Sequence, residues 1–220
     1  MEKGDVVKIE YVGRLESGEI FDLTSEELAK KEKIFNPKAR YGSVSILIGA
    51  NFVLPGLDKE LETMKVGDER EVTVEPQEAF GKRKPELVKP FPSKSFREDP
   101  KPGTMVDFGD TTGRVQTVSG GRVMVDFNHP LAGKRLIYKI SILEKVDGEE
   151  EKLAAVMEFF GINCDKVEVS EGNAKIYAPA PKSIKDKAAE VILKHMKINS
   201  IEFIDRYEKK SKGNETKEKE

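Results

Sequence analysis

Alternating apolar and polar residues open the chain and predict a pair of β-strands. Every second residue from Val7 to Tyr11 is apolar or aromatic, which places Tyr11 on the core-facing side of a first strand that Gly13 interrupts. A turn then leads into a short strand at residues 20–22, and the antiparallel hairpin brings Asp22 close to Tyr11. A phenol and a carboxylate within reach of each other form a usable polar pair.

The rest of the chain is organised around a strand-to-helix corner at residues 44–58. Alternation over 44–48 predicts a strand that ends at Gly49. Pro55 stands where the first turn of a helix tolerates a missing N–H, and the apolar residues that follow have helical spacing: Leu57, Leu61 and Met64. Such a corner is either the floor of a ligand site or ordinary core packing, and the pattern alone favours core packing.

Hydroxyl side chains predict the starts of two other helices. Thr24 followed by Glu27 is typical of a capping box, which predicts a small helix through about Lys33 that could overhang the corner. Ser183 is predicted to cap a later helix that carries His195.

The middle of the chain predicts a separate β-rich unit. Strands are expected at 70–74 and 136–143, and five prolines between residues 85 and 102 favour an extended, segmented backbone over helix. Short β segments follow at 105–108, 114–118 and 122–127. This unit interrupts the first domain, which resumes at the strong strand from residue 136.

After a polar linker at residues 147–151, the pattern changes to helix, hairpin, helix and strand. An apolar stripe from Leu153 to Phe160 stops at Gly161, a hairpin turn falls at 171–173, and the last strand covers 201–204. A unit of roughly 60 residues is marginal by itself. It is therefore a candidate for a homodimer interface.

These patterns predict an α+β protein with four parts. Residues 1–84 and 131–147 form a discontinuous first domain, 85–130 the inserted β-rich domain and 148–208 a small α+β domain. Residues 209–220 are a mixed-charge tail that we expect to be disordered.

Charge and composition narrow the function classes. Charged residues are abundant but balanced, with 38 basic and 40 acidic side chains, which argues against a dedicated nucleic-acid binder. The excess of Lys and Glu is the composition favoured in heat-adapted proteins.

Cys164 is the only cysteine, which excludes an intrachain disulfide and favours a buried filler role. The chain shows no secretion signal and no apolar run long enough to span a bilayer, so we expect a soluble cytoplasmic protein that does not bind membranes.

Motifs for metal-dependent hydrolysis, serine hydrolysis and nucleotide binding are absent from the sequence. The two histidines, His129 and His195, stand alone, and an isolated histidine in a helix stripe is typical of a packed or surface residue. Asp22 is the acidic residue with apolar and aromatic neighbours, so we expect it to have a role.

The ordered motifs of residues 1 to about 146 resemble those of the FKBP-type peptidyl-prolyl cis-trans isomerases, specifically the SlyD-like branch in its long archaeal form. The matching segments, in order, are Tyr11-x-Gly13, Gly18-x-x-Phe21-Asp22, Gly49-x-x-x-Val53-Leu54-Pro55-Gly56-Leu57, Met64-x-Val66-Gly67-Asp68, Ala79-Phe80-Gly81, and Asn128-His129-Pro130-Leu131-Ala132-Gly133 ahead of Tyr138. The resemblance implies an antiparallel sheet wrapped on a helix, a proline-binding pocket between them, and an inserted "insert-in-flap" domain at about 85–130.

Eight positions of this chain match the family's pocket. Leu57 would be its floor and Leu54 would offer a backbone N–H to a substrate carbonyl; the full set is Tyr11, Phe21, Asp22, Val53, Leu54, Leu57, Phe80 and Tyr138. Two positions depart from the family's pattern, because Leu57 stands where Trp is frequent and Phe80 where Tyr is frequent. Phe80 cannot donate a hydrogen bond. The tail lacks the His and Cys residues that bind nickel in many SlyD-like proteins, so we expect neither a metal nor another cofactor.

The resemblance implies catalysis of Xaa-Pro isomerisation in unfolded or partly folded clients that the inserted domain captures. Two alternatives stay open. The inserted unit could be a solvated unit without a binding role. The whole chain could also be a non-catalytic binding module that docks a partner through the same pocket.

Overall fold

The computed structural model describes residues 1–205 as three β-sheets with four α-helices. The helices are α1 (Glu26–Lys31), α2 (Pro55–Thr63), α3 (Glu149–Phe159) and α4 (Lys182–His195). The strands are β1 (Val6–Leu15), β2 (Ile20–Leu23), β3 (Val44–Leu47), β4 (Glu69–Val74), β5 (Val88–Pro92), β6 (Met105–Phe108), β7 (Thr111–Ser119), β8 (Arg122–Asp126), β9 (Leu136–Val146), β10 (Lys166–Ser170), β11 (Asn173–Tyr177) and β12 (Ser200–Ile204). This mixture confirms the predicted α+β class. The predicted disordered tail at 209–220 lies outside the described residues.

The first sheet surrounds the core that holds the strand-to-helix corner. Its strands are antiparallel and run in the order β2-β1-β9-β4. Strand β3 pairs with residues 6–9 of β1, which β2 does not reach. Alternation buries one face of β9, as predicted: Leu136, Tyr138, Ile140 and Ile142. Helix α2 packs on this face through Leu57, Leu61 and Met64, so the predicted helix at the corner is confirmed.

The second sheet is a small antiparallel unit between β4 and β9 in the chain, with strand order β5-β8-β7-β6. Three buried valines and four partly buried rings form its core: Val115, Val123, Val125, Phe91, Phe96, Phe108 and Phe127. The prediction that the proline-rich segment is extended rather than helical is confirmed over 88–92. This segment supplies strand β5, because Pro90 and Pro92 lie at the sheet edge, where a residue without an N–H leaves no ladder bond unmade.

The third sheet has the order β10-β11-β12, and α4 connects the parallel pair β11 and β12. Helix α3 contacts β10 of the third sheet and also β3 of the first sheet. Val6 and Leu47 of the first sheet therefore belong to the same buried cluster as Leu153 of α3. The apolar stripe of α3 is covered inside the chain.

The predicted capping box at Thr24 is wrong by one residue. Ser25 is the N-cap of α1, and its hydroxyl accepts a hydrogen bond from the N–H of Leu28 at 3.2 Å. Thr24 is buried instead, and its hydroxyl oxygen accepts from the N–H of Tyr11 at 3.0 Å. Tertiary hydrogen bonding to β1 decides between two residues with similar capping preference.

Two further local predictions are wrong. Gly13 does not interrupt β1, which continues to Leu15 because β9 pairs with it along its whole length; the glycine adjoins a register shift against β2. Ser183 does not cap α4, which begins at Lys182. The carbonyl of Pro181 accepts the first turn's bonds from Ile184 and Lys185, so the helix starts before the serine.

Candidate functional site

Three aromatic rings meet where β1, β2 and β9 lie side by side. Gly13 is paired with Asp22 on β2 and with Tyr138 on β9. The ring of Tyr138 makes edge contacts with Tyr11, at 5.8 Å between centroids, and with Phe21, at 5.6 Å. Edge-to-face geometry of this kind fixes ring orientation as well as burying area. The sheet therefore brings together three rings of the predicted pocket, which we call the hollow.

Asp22 brings a negative charge to the rim of this hollow. The hydroxyl of Tyr11 donates a hydrogen bond to its carboxylate at 3.0 Å, which confirms the pair predicted from the hairpin. Asp22 itself is exposed, whereas Tyr11 is half-buried and Tyr138 is buried. Burial, and then the charge of Asp22, raise the pKa of both tyrosine hydroxyls well above the ordinary value. Both phenols therefore stay protonated over the neutral range.

Further residues of the hollow come from the corner between β3 and α2. Leu57 is 2% exposed and lies in the same core cluster as Tyr138, with Val53 and Leu54 packed on that cluster. The carbonyl of Leu54 accepts bonds from Leu57 and Asp58 and starts α2. Within residues 1–205, the N–H of Leu54 donates to no protein acceptor. That N–H is available to a ligand.

A buried carboxylate that sequence analysis missed holds the loop before α2. Asp58 is 6% exposed, and it accepts hydrogen bonds from the N–H groups of Gly49 at 2.9 Å and Asn51 at 3.3 Å. Such bonds satisfy a buried charge and fix the loop. Asp58 lies in the predicted helix after the corner, and an aspartate in a helix is normally expected to be exposed. Nothing in the neighbouring sequence therefore indicates that Asp58 is buried.

Phe80 also packs on the core cluster, and its ring is paired with a residue outside the predicted set. The Phe80 and His129 rings are stacked at 4.1 Å with planes 5° apart. Nδ1 of His129 accepts the N–H of Leu131 at 3.2 Å, which orients the imidazole. The prediction that His129 stands alone is therefore wrong. All seven apolar or aromatic members of the predicted set meet on one cluster, and Asp22 joins them through Tyr11.

A cavity of about 210 Å³ lies beside Asp22. Phe21 and Asp22 form one wall, and Ile34 and Tyr41 from the segment after α1 form the opposite wall. The ring of Phe35 stacks on Tyr41 at 5.4 Å. The segment that could overhang the corner thus faces the acidic rim of the hollow.

The chemistry of the site is that of binding and orientation. Within residues 1–205, no three His, Cys, Asp or Glu side chains converge as metal ligands would. Helices in the same part of the chain are all too short or too polar to cross a bilayer. An apolar hollow with one N–H donor and one carboxylate can hold a planar amide and stabilise a twisted one, without bond making.

We expect substitution of Gly13 by Ala to damage the hollow. A Cβ at this position would lie 2.8 Å from the Phe21 ring and 3.0 Å from the Tyr138 ring, so the rings must move. Overpacking of this kind costs about 1–3 kcal/mol of stability, and displaced walls should lower any activity of the hollow by about tenfold. Thermal unfolding and peptide turnover measure the two effects.

The matched control is Gly113→Ala in the second sheet. A Cβ there would lie 2.4 Å from Val125, so the steric insult is at least as large. The control should lose stability and keep peptide turnover. Equal losses of turnover in both variants would show that Gly13 has no special relation to the site.

Comparison with known proteins gives two matching family profiles. One, described as FKBP-type peptidyl-prolyl cis-trans isomerase, matches residues 1–97. The other, described as FKBP26, IF domain, matches residues 92–131.

Curated relatives extend the match beyond the first profile. A short-type peptidyl-prolyl cis-trans isomerase of Methanocaldococcus jannaschii is 30% identical over 69% of this chain and 98% of its own length. A probable FKBP-type 16 kDa peptidyl-prolyl cis-trans isomerase of Pseudomonas fluorescens is 31% identical over 63% of this chain and 87% of its length. An FKBP-type isomerase named SlyD from Helicobacter pylori is 30% identical over 55% of this chain and 69% of its length.

Proposed function

Because the chain belongs to the FKBP-type peptidyl-prolyl cis-trans isomerases, we propose that the hollow between its first sheet and α2 is the isomerase site. The reaction turns the amide bond before a proline from one planar form to the other. Its barrier is about 18–20 kcal/mol because resonance is lost at the twisted geometry. No covalent bond is made or broken, so the site needs neither an acid, a base nor a cofactor.

The proposed mechanism uses each wall of the hollow. The proline ring lies among Tyr11, Phe21 and Tyr138, above Leu57. The twisted amide has less charge separation than the planar one, so an apolar site favours it over the ground state. The N–H of Leu54 anchors a substrate carbonyl, and the charge of Asp22 favours the carbonyl carbon, which becomes more positive when resonance is lost.

The observation that carries this proposal is the hydrogen bond from Tyr11 to Asp22 beside the packed rings. It orients a carboxylate beside the core cluster on which Leu54 packs, and the N–H of Leu54 has no protein acceptor in residues 1–205. A carboxylate with a purely structural role would be expected to have a cation or backbone partner. The contact with a pocket tyrosine favours a role towards a ligand.

The test is the rate of cis-trans isomerisation of a tetrapeptide with a Leu-Pro bond, measured with the full chain. Acceleration over the uncatalysed rate is expected. A chain that binds the peptide without accelerating it would instead be the non-catalytic binding module, and Phe80 and Leu57, which depart from the family's usual residues, are the positions to examine first.

We propose further that the second sheet is a client-binding domain. The proposal divides the chain as predicted from its sequence: 1–84 with 131–147 for the isomerase, 85–130 for the inserted domain and 148–208 for the C-terminal domain. Its clients are unfolded or nascent proteins with Xaa-Pro bonds, and its compartment is the cytoplasm. Exposed apolar side chains on the second sheet, Met105 at 56% and Val118 at 40%, support a surface that binds unfolded chains.

A homodimer through the C-terminal domain stays a prediction. The small size of this domain favours it, but the apolar stripe on α3 is buried against Val6 and Leu47 of the same chain. Leu193 on α4 is 45% exposed and is available to a second copy. Solution mass at micromolar concentration tests the dimer, and a monomer would remove it.

A further inference from the structure

We propose that the C-terminal end of α3 is a positioning element of the isomerase pocket. It contacts two segments next to residues of the predicted pocket: the loop that carries Leu54 and the stretch after α1 that lines the cavity beside Asp22. This inference rests on the proposed function of the hollow. The residues concerned are Glu158, Phe159 and Phe160, which lie outside the part of the chain that resembles the isomerase family.

The first segment is the loop at residues 49–54, which presents Val53 and the N–H of Leu54. The loop contains no regular secondary structure up to its end at α2. Asp58 fixes its beginning through the N–H groups of Gly49 and Asn51. This anchor reaches no further than Asn51, and the hydrogen bonds of α2 begin at the carbonyl of Leu54, so Phe52 and Val53 between them depend on side-chain packing.

Phe52 packs on both large clusters of the protein. Its ring is stacked on Phe159 at 3.8 Å between centroids with planes 12° apart, and it meets the edge of Phe160 at 5.9 Å. Phe52 lies two residues before Leu54. The orientation of the Leu54 N–H therefore depends on two rings of the C-terminal domain.

The second segment is the stretch after α1 that forms one wall of the cavity beside Asp22. Its residues from 32 to 40 are all exposed, so packing holds them weakly. The guanidinium of Arg40 forms an ion pair with the carboxylate of Glu158, one residue before Phe159. An exposed ion pair contributes little by itself. The aromatic stack is therefore the main support, and the ion pair adds a link on the other side.

This arrangement predicts which kinetic constant should change. The proline ring is held by Tyr11, Phe21 and Tyr138, whose rings pair with one another, whereas the rings of α3 pair with Phe52. The N–H of Leu54 acts on the carbonyl as the amide turns. Loss of the Phe52–Phe159 stack should therefore lower kcat and leave KM nearly unchanged.

The experiment compares Phe159→Ala with Phe159→Tyr in the full chain, using the Leu-Pro tetrapeptide. Phe159 is 45% exposed, so a tyrosine hydroxyl can point into solvent and the ring stack survives. We expect Phe159→Ala to lower kcat about five- to tenfold, as a shift of a positioning group does, and Phe159→Tyr to restore it. Amide hydrogen exchange at residues 52–54 should quicken in Phe159→Ala alone.

Leu193→Ala is the matched control, because Leu193 is equally exposed on the neighbouring helix of the same domain. It should leave kcat and exchange at 52–54 unchanged. Unchanged kcat in Phe159→Ala, or an equal loss in the control, would overturn the inference. If Phe159→Ala does not fold, Phe159→Leu, which keeps an apolar side chain without the ring, is held to the same criteria. An inactive unmodified chain would instead count against the proposed function itself.

Discussion

Excision of the second sheet is expected to slow catalysed refolding of a proline-limited protein by about tenfold or more, while leaving turnover of a tetrapeptide within about twofold. If the inserted domain binds clients as proposed, it holds their Xaa-Pro bonds at a high effective concentration near the pocket, and linked binding modules gain about 10²–10⁴ in affinity in this way. A tetrapeptide is too small to use both sites. The ratio of the two rates is the measurement.

The structure indicates how to make the excision without disturbing the pocket. The side chain of Asn128 accepts the N–H of Lys84 at 2.8 Å and donates to its carbonyl at 2.9 Å, so the two ends of the insert are adjacent. Joining Lys84 to Asn128 by Gly-Gly removes residues 85–127 and keeps the His129 ring on Phe80. Equal slowing of the peptide and protein reactions would show a damaged pocket. No slowing of either reaction would show that the second sheet is a solvated domain that does not bind clients.

Point variants in the full chain provide a second arm. Met105→Ser and Val118→Ser together remove exposed apolar surface from the second sheet, and Leu143→Ser removes a side chain of similar exposure, 46%, from the first sheet. The pair should slow protein refolding, and Leu143→Ser should not. This outcome would assign client binding to the apolar surface rather than to the mere presence of the insert.

The sequence predicts much of this fold because burial on one face imposes a repeat on the chain. Alternation located β9 and its buried residues, and helical spacing located α2 and α3. It failed where two local choices are nearly equal in energy. Thr24 and Ser25 have similar capping preferences, and the bonds between the Thr24 hydroxyl and the backbone of Tyr11 decide which residue starts α1.

The site was less accessible to sequence reasoning because its supports connect residues far apart in the chain. Asp22 and Tyr11 belong to one hairpin, so their contact follows from local pairing. The stacks of Phe80 on His129 and of Phe52 on Phe159 join segments that no spacing relates. The fold brings these partners together, and neither residue type nor period indicates the pairing.

Replacement of Asp22 by Ala is expected to lower kcat/KM for the Leu-Pro tetrapeptide by about tenfold or more, with little loss of stability. A charge placed against charge that develops as the amide turns stabilises the transition state more than the ground state. Asp22 is exposed, and its bond to Tyr11 is a surface contact, so folding depends on it weakly. Peptide turnover and thermal unfolding of the same sample separate the two effects.

Two further variants define what the loss means. Tyr11→Phe removes the hydrogen bond that orients the carboxylate and leaves the charge, so we expect a smaller loss than in Asp22→Ala. Asp107→Ala in the second sheet also removes a carboxylate that accepts a hydroxyl bond, from Thr112 at 2.8 Å, and should leave peptide turnover unchanged.

Tyr138→Phe combined with Asp22→Ala keeps the buried ring, which Tyr138→Ala would replace with a cavity. If this double variant turns over the peptide at the unmodified rate, the ring-walled hollow is not where the amide rotates, and the isomerase site must lie elsewhere on the chain.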